Sequence, residues 1–332
     1  MRYREREGIL KIRYLSIRNF RGIYELEWNI TQSFVCLIGQ GDSTKSTILD
    51  AIHLCLSPSW SLTFSDADFF NCDITNPIEI ITTVGELPDS MISQDKFGNC
   101  LRGWSIDKGL VDEPEDGTEP VLSIALVIDR TLEPNWVVKN DREPEGIFVS
   151  ANDRKKFGVT SLGMYVDQQL SWGKYSALSQ LTENGDDISS VLADANRCAR
   201  EAVSSATLNE LNRSAETVDE IAKTFGVRPH TKYAVGLDAK LSVTGQATLT
   251  LHDGQVPARM AGLGSRRLLT LAIQRQGVPE GGIMLIDEIE TGLEPHRLRH
   301  LIRKLRPTDD ANHQVFLTTH SNVAIEELIA VE

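Results

Sequence analysis

The segment Phe34-Val-Cys-Leu-Ile-Gly-Gln-Gly-Asp-Ser-Thr-Lys-Ser-Thr47 constrains the fold more than any other part of this 332-residue chain. Its apolar run ends at Gly39. A helical pattern begins at Ser46 and puts Ile48, Leu49, Ile52 and Leu56 on one face before Pro58. Between strand and helix lies a glycine-bearing loop whose N–H groups can wrap an anion, with the helix N-terminus adding favourable potential. Strand, loop and helix in that order call for an α/β fold. Gly39, Gln40, Gly41, Asp42, Ser43, Thr44, Lys45, Ser46 and Thr47 are therefore candidates for cradling the phosphates of a nucleotide. Lys45 would reach the β- and γ-phosphates, and the Ser46 hydroxyl would bind Mg2+. Thr44 stands where the pattern ordinarily has glycine. A β-branched residue forced to positive φ there would cost about 1–3 kcal/mol.

A second apolar run, Ile283-Met-Leu-Ile286, ends in Asp287 and Glu288. At the C-terminal end of a strand, two adjacent carboxylates can both turn toward one crevice. Asp287 is the candidate for the Mg2+ shell, and Glu288 for orienting or deprotonating a water. One helix and one strand later comes Thr318-Thr-His-Ser321. His320 there is a candidate donor to a γ-phosphate and a sensor of its presence.

The net charge of -13 excludes a globally basic nucleic-acid binder. A local basic patch stays open: residues 296–306 hold Arg297, Arg299, Arg303, Lys304 and Arg306, which read equally as a solvated helix face. No apolar run approaches the roughly 20 residues that span a bilayer, and the charged N-terminus has no apolar segment behind it. Five scattered cysteines without a CxxC pair argue against zinc or a disulfide framework and fit a reducing cytosol. A cytoplasmic protein without membrane segments is expected.

Residues 10–38, 78–87 and 121–138 read as strands, with 88–120 a Pro/Gly/Asp-rich loop excursion. Over 186–225 apolar residues recur in a 4-3 rhythm: Ile188, Leu192, Ala195, Ala199, Ala202 and Ala206, then Leu208, Leu211, Ala215, Val218, Ala222 and Phe225. That seam suits core packing or an intermolecular arm. Strands are predicted again at 233–237, 240–243, 247–251, 282–287 and 314–319, and a helix at 265–274. The expected organisation is a lobe over 1–150, a helical insertion over 151–232 with a possible dimerisation arm, and a second lobe over 233–332.

The order of P-loop, acidic pair, Gly292-Leu-Glu-Pro295 and strand-terminal histidine resembles the ABC-type ATPases, in particular their RecF/SMC-like branch. Ile17-Arg-Asn-Phe-Arg-Gly-Ile23 is similar to the strand that opens that branch. The resemblance implies an α/β P-loop NTPase with an ABC-type core, a mixed sheet flanked by helices, and a helical insertion. It implies ATP and Mg2+ as ligands and puts Asn19, Phe20 and Arg21 near the base and ribose. It also implies a homodimer or higher oligomer sandwiching two nucleotides, with 292–295 as the D-loop at the interface. Ala261-Gly-Leu-Gly-Ser-Arg-Arg267 occupies the place of the signature motif, although it does not read Leu-Ser-Gly-Gly-Gln. Gly262, Gly264 and Ser265, opening a helix, are its candidates for capping a phosphate. No Q-loop glutamine follows the first helix; Asp66 or Asp68 stands roughly there, and so does a plain loop.

Within the branch the nearest likeness is to the ATPase portion of overcoming-lysogenization-defect (OLD) proteins and related anti-phage ATPases, on the intermediate size of the insertion. OLD proteins continue into a TOPRIM nuclease. Here the single Asp-x-Asp, Asp66 to Asp68, has no suitable strand before it and the sequence ends at Glu332, so no nuclease site is expected. The chain is then either truncated or an ATPase whose effector, a nuclease or toxin, is another polypeptide. The leading expectation is an ATP-hydrolysing module that dimerises on nucleotide and regulates a DNA-acting or toxic effector in anti-phage defence, with nucleic-acid contact open. The alternative, motivated by Thr44, is a non-hydrolytic ATP-sensing scaffold that holds a partner in check. A transporter subunit is disfavoured by the degenerate signature and the large insertion.

Overall fold

A computed structural model describes residues 10–41, 43–59, 62–92, 96–162, 166–172, 176–181, 208–227, 229–237, 249–278, 281–306 and 313–329. Asp42, the strand expected at 240–243 and the first half of the 4-3 seam lie outside them. The strands are β1 (Lys11–Phe20), β2 (Ile23–Asn29), β3 (Phe34–Ile38), β4 (Ile78–Gly85), β5 (Arg102–Ser105), β6 (Gly109–Val111), β7 (Glu119–Ile128), β8 (Pro134–Val138), β9 (Ile147–Phe148), β10 (Val159–Leu162), β11 (Tyr233–Leu237), β12 (Leu249–Asp253), β13 (Val256–Pro257), β14 (Ile283–Ile286) and β15 (Gln314–Thr319). Among the described residues, the helices of eight residues or more are α1 (Lys45–Leu56), α2 (Asn209–Thr224), α3 (Leu263–Gly277), α4 (Pro295–Leu305) and α5 (Asn322–Ile329).

The chain divides into two compact units. The first comprises Met1–Ser161, Val278–Ile289 and Arg306–His320; the second comprises Leu162–Gly277, Glu290–Leu305 and Ser321–Glu332. β14 and β15, grouped by sequence with the C-terminal lobe, thus belong to the unit that carries the P-loop.

Among the described residues the first unit holds two sheets. One is antiparallel, ordered β2-β1-β4-β7-β5-β6, with β8 paired to β7 and β9 to β8. The other runs β10-β14-β15-β3, and its β14, β15 and β3 are mutually parallel. β14 and β15 are buried along their whole length, which is why they read as unbroken apolar runs. α1 packs on strands of both sheets and buries Leu49, Ala51, Ile52, Cys55 and Leu56. Each large aliphatic side chain buried there contributes about 1.5–3 kcal/mol. Burial pushes the Cys55 thiol up to about 11, so it stays protonated and unreactive at neutral pH. No disulfide joins Cys36, Cys55, Cys72 or Cys100.

Residues 88–120 are not a plain loop. β5 and β6 arise there and extend the antiparallel sheet beyond β7. The Pro/Gly-rich composition marked the turns between them and hid strands only three or four residues long. In the second unit, α2 buries Leu211, Ala215, Val218 and Ala222, flanked by buried Leu208 and Phe225. The second half of the 4-3 seam is therefore core packing. α2 meets α3 and β11, and β11-β12-β13 form a small antiparallel sheet. No described helix is long and apolar enough to cross a membrane.

Candidate functional site

Sheet order brings the chemistry together. In the parallel sheet Thr319 stands opposite Ile38 on β3, and Leu317 opposite Ile286 on β14. The next residue of each strand is therefore at one carboxyl edge: Gly39 after β3, His320 after β15, Asp287 after β14. Ligands of open parallel sheets bind outside that edge.

Ser46 Oγ donates to Asp287 Oδ1 at 2.9 Å across 241 positions of sequence. Thr318 Oγ1 donates to the same oxygen at 2.6 Å. The Lys45 ammonium donates to the Gly39 carbonyl at 2.9 Å, to the Gln40 carbonyl and to Ser43 Oγ at 2.8 Å, so it sits inside the curve of its own loop. Ser43 Oγ in turn donates to the Gln40 carbonyl at 2.7 Å. Ser46, Glu288 and His320 are exposed, whereas Asp287 and Lys45 are half-buried.

Thr44 adopts the left-handed conformation, φ 60° and ψ 8°, at the N-cap of α1. Its carbonyl accepts the first helical bond, from Ile48 N–H at 3.0 Å, while its own hydroxyl donates to the Ser43 carbonyl and caps no helical N–H. The first turn of α1 also carries no acidic side chain. An N-terminus presented this way suits an anion. The strain expected of a β-branched residue is therefore present in the loop.

Glu288 is left-handed too, at φ 44°, two residues after the end of β14. Its N–H donates to Thr318 Oγ1 at 2.7 Å, and the N–H of Ile289 to the Thr318 carbonyl at 3.1 Å. That turn releases the Glu288 side chain to solvent at the carboxyl edge, where strand geometry would have pointed it away from Asp287.

A hydroxyl and a carboxylate meeting at the lysine-bearing loop fit a hard, oxygen-seeking ion. Among the described residues no group of three or more His, Cys, Asp or Glu side chains could hold a metal. Ser46 and Asp287 are the residues that could hold such an ion, since Mg2+ is ordinarily held by one or two protein ligands plus substrate phosphates.

The opening-strand residues are placed differently from one another. Phe20 is fully buried and paired with buried Phe69, so its side chain has no surface to offer a ligand. Asn19 is left-handed, and its amide donates to the Asn76 and Asp73 carbonyls at 2.6 and 3.2 Å. Arg21 joins Asp50 of α1 at 2.6 Å and Asp68 at 3.0 Å. Burial alone would lower the Arg21 pKa, but the bonds to Asp68 and Asp50 outweigh it and raise the pKa. The other Asp68 oxygen takes the Ser65 N–H and hydroxyl. Asp68 thus closes a turn and pairs an arginine, as in the plain-loop reading of that stretch. A cavity of about 510 Å3 lies nearby, lined by Arg18, Asn19, Tyr24 and Phe70 among others, and includes neither Lys45 nor Asp287.

In the second unit the segment 261–267 and residues 292–295, the expected signature and D-loop positions, lie side by side. A Cβ on Gly264 would come within 2.3 Å of the Gly292 carbonyl, so glycine is required for that approach. Ser265 Oγ accepts from Arg297 of α4 at 3.2 Å, and Gly262 has open space around it. Three arginines of the basic face of α4 are ion-paired: Arg303 to Glu327 at 2.6 Å, Arg299 to Glu326 and Glu327, and Arg297 to Glu294. For these arginines the solvated-face reading fits better than a nucleic-acid patch. Thr318 is the functional candidate that sequence reading passed over. Its place opposite the end of β14 is a matter of register, invisible in a linear motif.

A model of the AAA ATPase domain matches residues 10–157, and an AAA domain model described by the AbiEii toxin of a Type IV TA system matches residues 193–326. No curated protein matches the chain. Among solved structures, it is similar to an Smc head bound to the C-terminal winged-helix domain of ScpA, at 15% identity and a TM-score of 0.53, over 95% of this chain and 91% of that one. The Smc head of Pyrococcus furiosus gives 12% and 0.54, covering 96% and 92%. RecF with ATPrS gives 12% and 0.53, covering 96% and 95%. At such identities the likeness shows the fold, which is the mixed α/β fold of SMC heads and RecF.

Proposed function

We propose that this chain binds ATP with Mg2+ and hydrolyses it, closing on a second copy when nucleotide is bound, and thereby controls a nuclease or toxin effector. The Ser46–Asp287 contact carries the proposal: two groups 241 positions apart meet beside the lysine-bearing loop at the carboxyl edge of a parallel sheet. In this reading the loop N–H groups and the Lys45 ammonium bind the phosphates, and Ser46 and Asp287 hold the metal. Bound Mg2+ would neutralise phosphate charge. Glu288 accepts the proton of the attacking water, and His320 donates to the γ-phosphate. Gly262, Gly264 and Ser265, with the D-loop beside them, would serve a neighbouring copy's nucleotide.

Anti-phage action in the cytoplasm, of the OLD-like kind, is supported by the AbiEii toxin description of the matching model and by analogy of fold, not by site chemistry. Measuring ATP affinity and phosphate release for the wild type and Glu288→Gln tests the enzymatic half. Retained affinity with release reduced about 100–10,000-fold is expected. Equal release in both proteins would remove Glu288 from its role.

A second reading, a non-hydrolytic ATP-sensing scaffold, draws on the strained Thr44. Tight ATP binding with no turnover in the wild type, alone or with an added effector, would favour it.

A further inference from the structure

Thr318 is buried on β15, and its hydroxyl is committed twice to the acidic pair. It donates to Asp287 Oδ1 at 2.6 Å and accepts the Glu288 N–H at 2.7 Å, while its carbonyl accepts Ile289 N–H at 3.1 Å. We propose that Thr318 is a positioning residue that sets both carboxylates at once: it fixes the rotation of the Asp287 carboxylate and holds Glu288 in its left-handed turn. This rests on the ATP-hydrolysing reading of the same site.

The terminal torsion of an aspartate is broad and two-fold, so a carboxylate held by one hydrogen bond can still turn. Ser46 and Thr318 reach the same oxygen from different strands of sequence, and together they leave one orientation. Glu288 needs more help. A non-glycine residue at φ 44° persists only where the surroundings over-determine it, and the Thr318 hydroxyl and carbonyl are the acceptors for two successive N–H groups of that turn. Removing the hydroxyl frees the Asp287 rotation and one of those two anchors together. Shape does not require a hydroxyl here: valine fills nearly the same volume with the same branching, and strands favour it.

The test uses the full chain with Thr318→Val and Thr318→Ser. Three quantities are read: affinity for a fluorescent ATP analogue in Mg2+, the same affinity in EDTA, and the Mg2+ concentration giving half-maximal phosphate release. Thr318→Val is expected to weaken Mg2+ half-saturation about 10–100-fold and to lower turnover similarly, the usual effect of losing a partner of a metal ligand. Affinity in EDTA should stay at the wild-type value, and Thr318→Ser should recover to within about threefold. Thr318→Ala reads the same loss if the valine variant does not fold. Wild-type Mg2+ dependence and turnover in Thr318→Val would overturn the proposal. So would equal losses in the serine and valine variants, or a loss that persists in EDTA, since each points to packing instead of the hydroxyl. A wild-type chain that binds ATP but never turns it over, whose valine variant still loses Mg2+-dependent affinity, keeps the Asp287 half and removes the hydrolytic reading. A wild type that binds no nucleotide ends both.

Discussion

Thr44 and Gly22 form a steric pair whose energetics can be separated by a double-mutant cycle. Thr44 is held left-handed at φ 60°, which costs an L-residue about 1–2 kcal/mol. Thr44→Gly removes that cost and gives back about 0.5–1 kcal/mol through the greater freedom of glycine in the unfolded chain. A net gain of about 0.5–1 kcal/mol is expected. Gly22 is a different case, because its φ lies outside the left-handed range and only space restricts it. A Cβ placed there would stand 2.8 Å from Thr44 Cγ2. Thr44 cannot simply rotate away, since its hydroxyl donates to the Ser43 carbonyl at 2.7 Å. Gly22→Ala should therefore destabilise by about 1–3 kcal/mol, the usual cost of overpacking. In the Thr44→Gly background the clashing methyl is gone and the penalty should fall toward zero, giving a coupling of about 1–3 kcal/mol. Urea unfolding followed by the fluorescence of buried Trp104 and Trp136 reads all four proteins. Additivity within about 0.5 kcal/mol would refute the contact, and a destabilised Thr44→Gly would refute the strain.

Three further outcomes are expected. Gln314 is fully buried and uses its side-chain amide like a strand, accepting Ile12 N–H at 2.7 Å and donating to the Ile12 and Gln32 carbonyls at 3.1 Å; Gln314→Leu should cost about 2–4 kcal/mol in urea unfolding. Lys45→Ala should weaken ATP binding about 10–100-fold by equilibrium titration, through loss of a charge-assisted donor. Burial lowers the His53 pKa from 6.5 against a weaker opposing pull from Asp50, and its Nδ1 is buried without a hydrogen-bond partner. The unfolded chain therefore takes up the proton first. Stability from this group is complete above about pH 6.5 and declines as pH falls below it, and His53→Leu should flatten that part of the urea-midpoint profile.

The P-loop strand and helix, the acidic strand and the strand before His320 were legible because each carries a local signal: a buried apolar run, a period, a glycine-bearing turn. β5 and β6 were not, because three or four residues hold too little pattern to outweigh the turn composition around them. Arg21 and Phe20 show the same limit in the site. A motif names the residue types but not whether a side chain faces a ligand, and the fold buries Phe20 and pairs Arg21 with two carboxylates. The strain at Thr44 was legible as a conditional, since a threonine in a glycine position costs energy only if the loop demands positive φ, and it does.

Register is what no local signal encodes. Ser46, Asp287 and Thr318 meet because β15 lies between β3 and β14 with Thr319 opposite Ile38 and Leu317 opposite Ile286. A shift of that pairing by one residue would turn every side chain of β15 to the opposite face, placing Thr319 where Thr318 now bonds the acidic pair. The cost of such a slip is large, because all six residues of β15 are buried and Gln314 is tied at its N-terminal end to Ile12 and Gln32. The buried amide at one end of the strand and the hydroxyl at the other thus serve one purpose. Gln314 sets where β15 begins, and that setting decides which residue of the strand reaches the carboxylates.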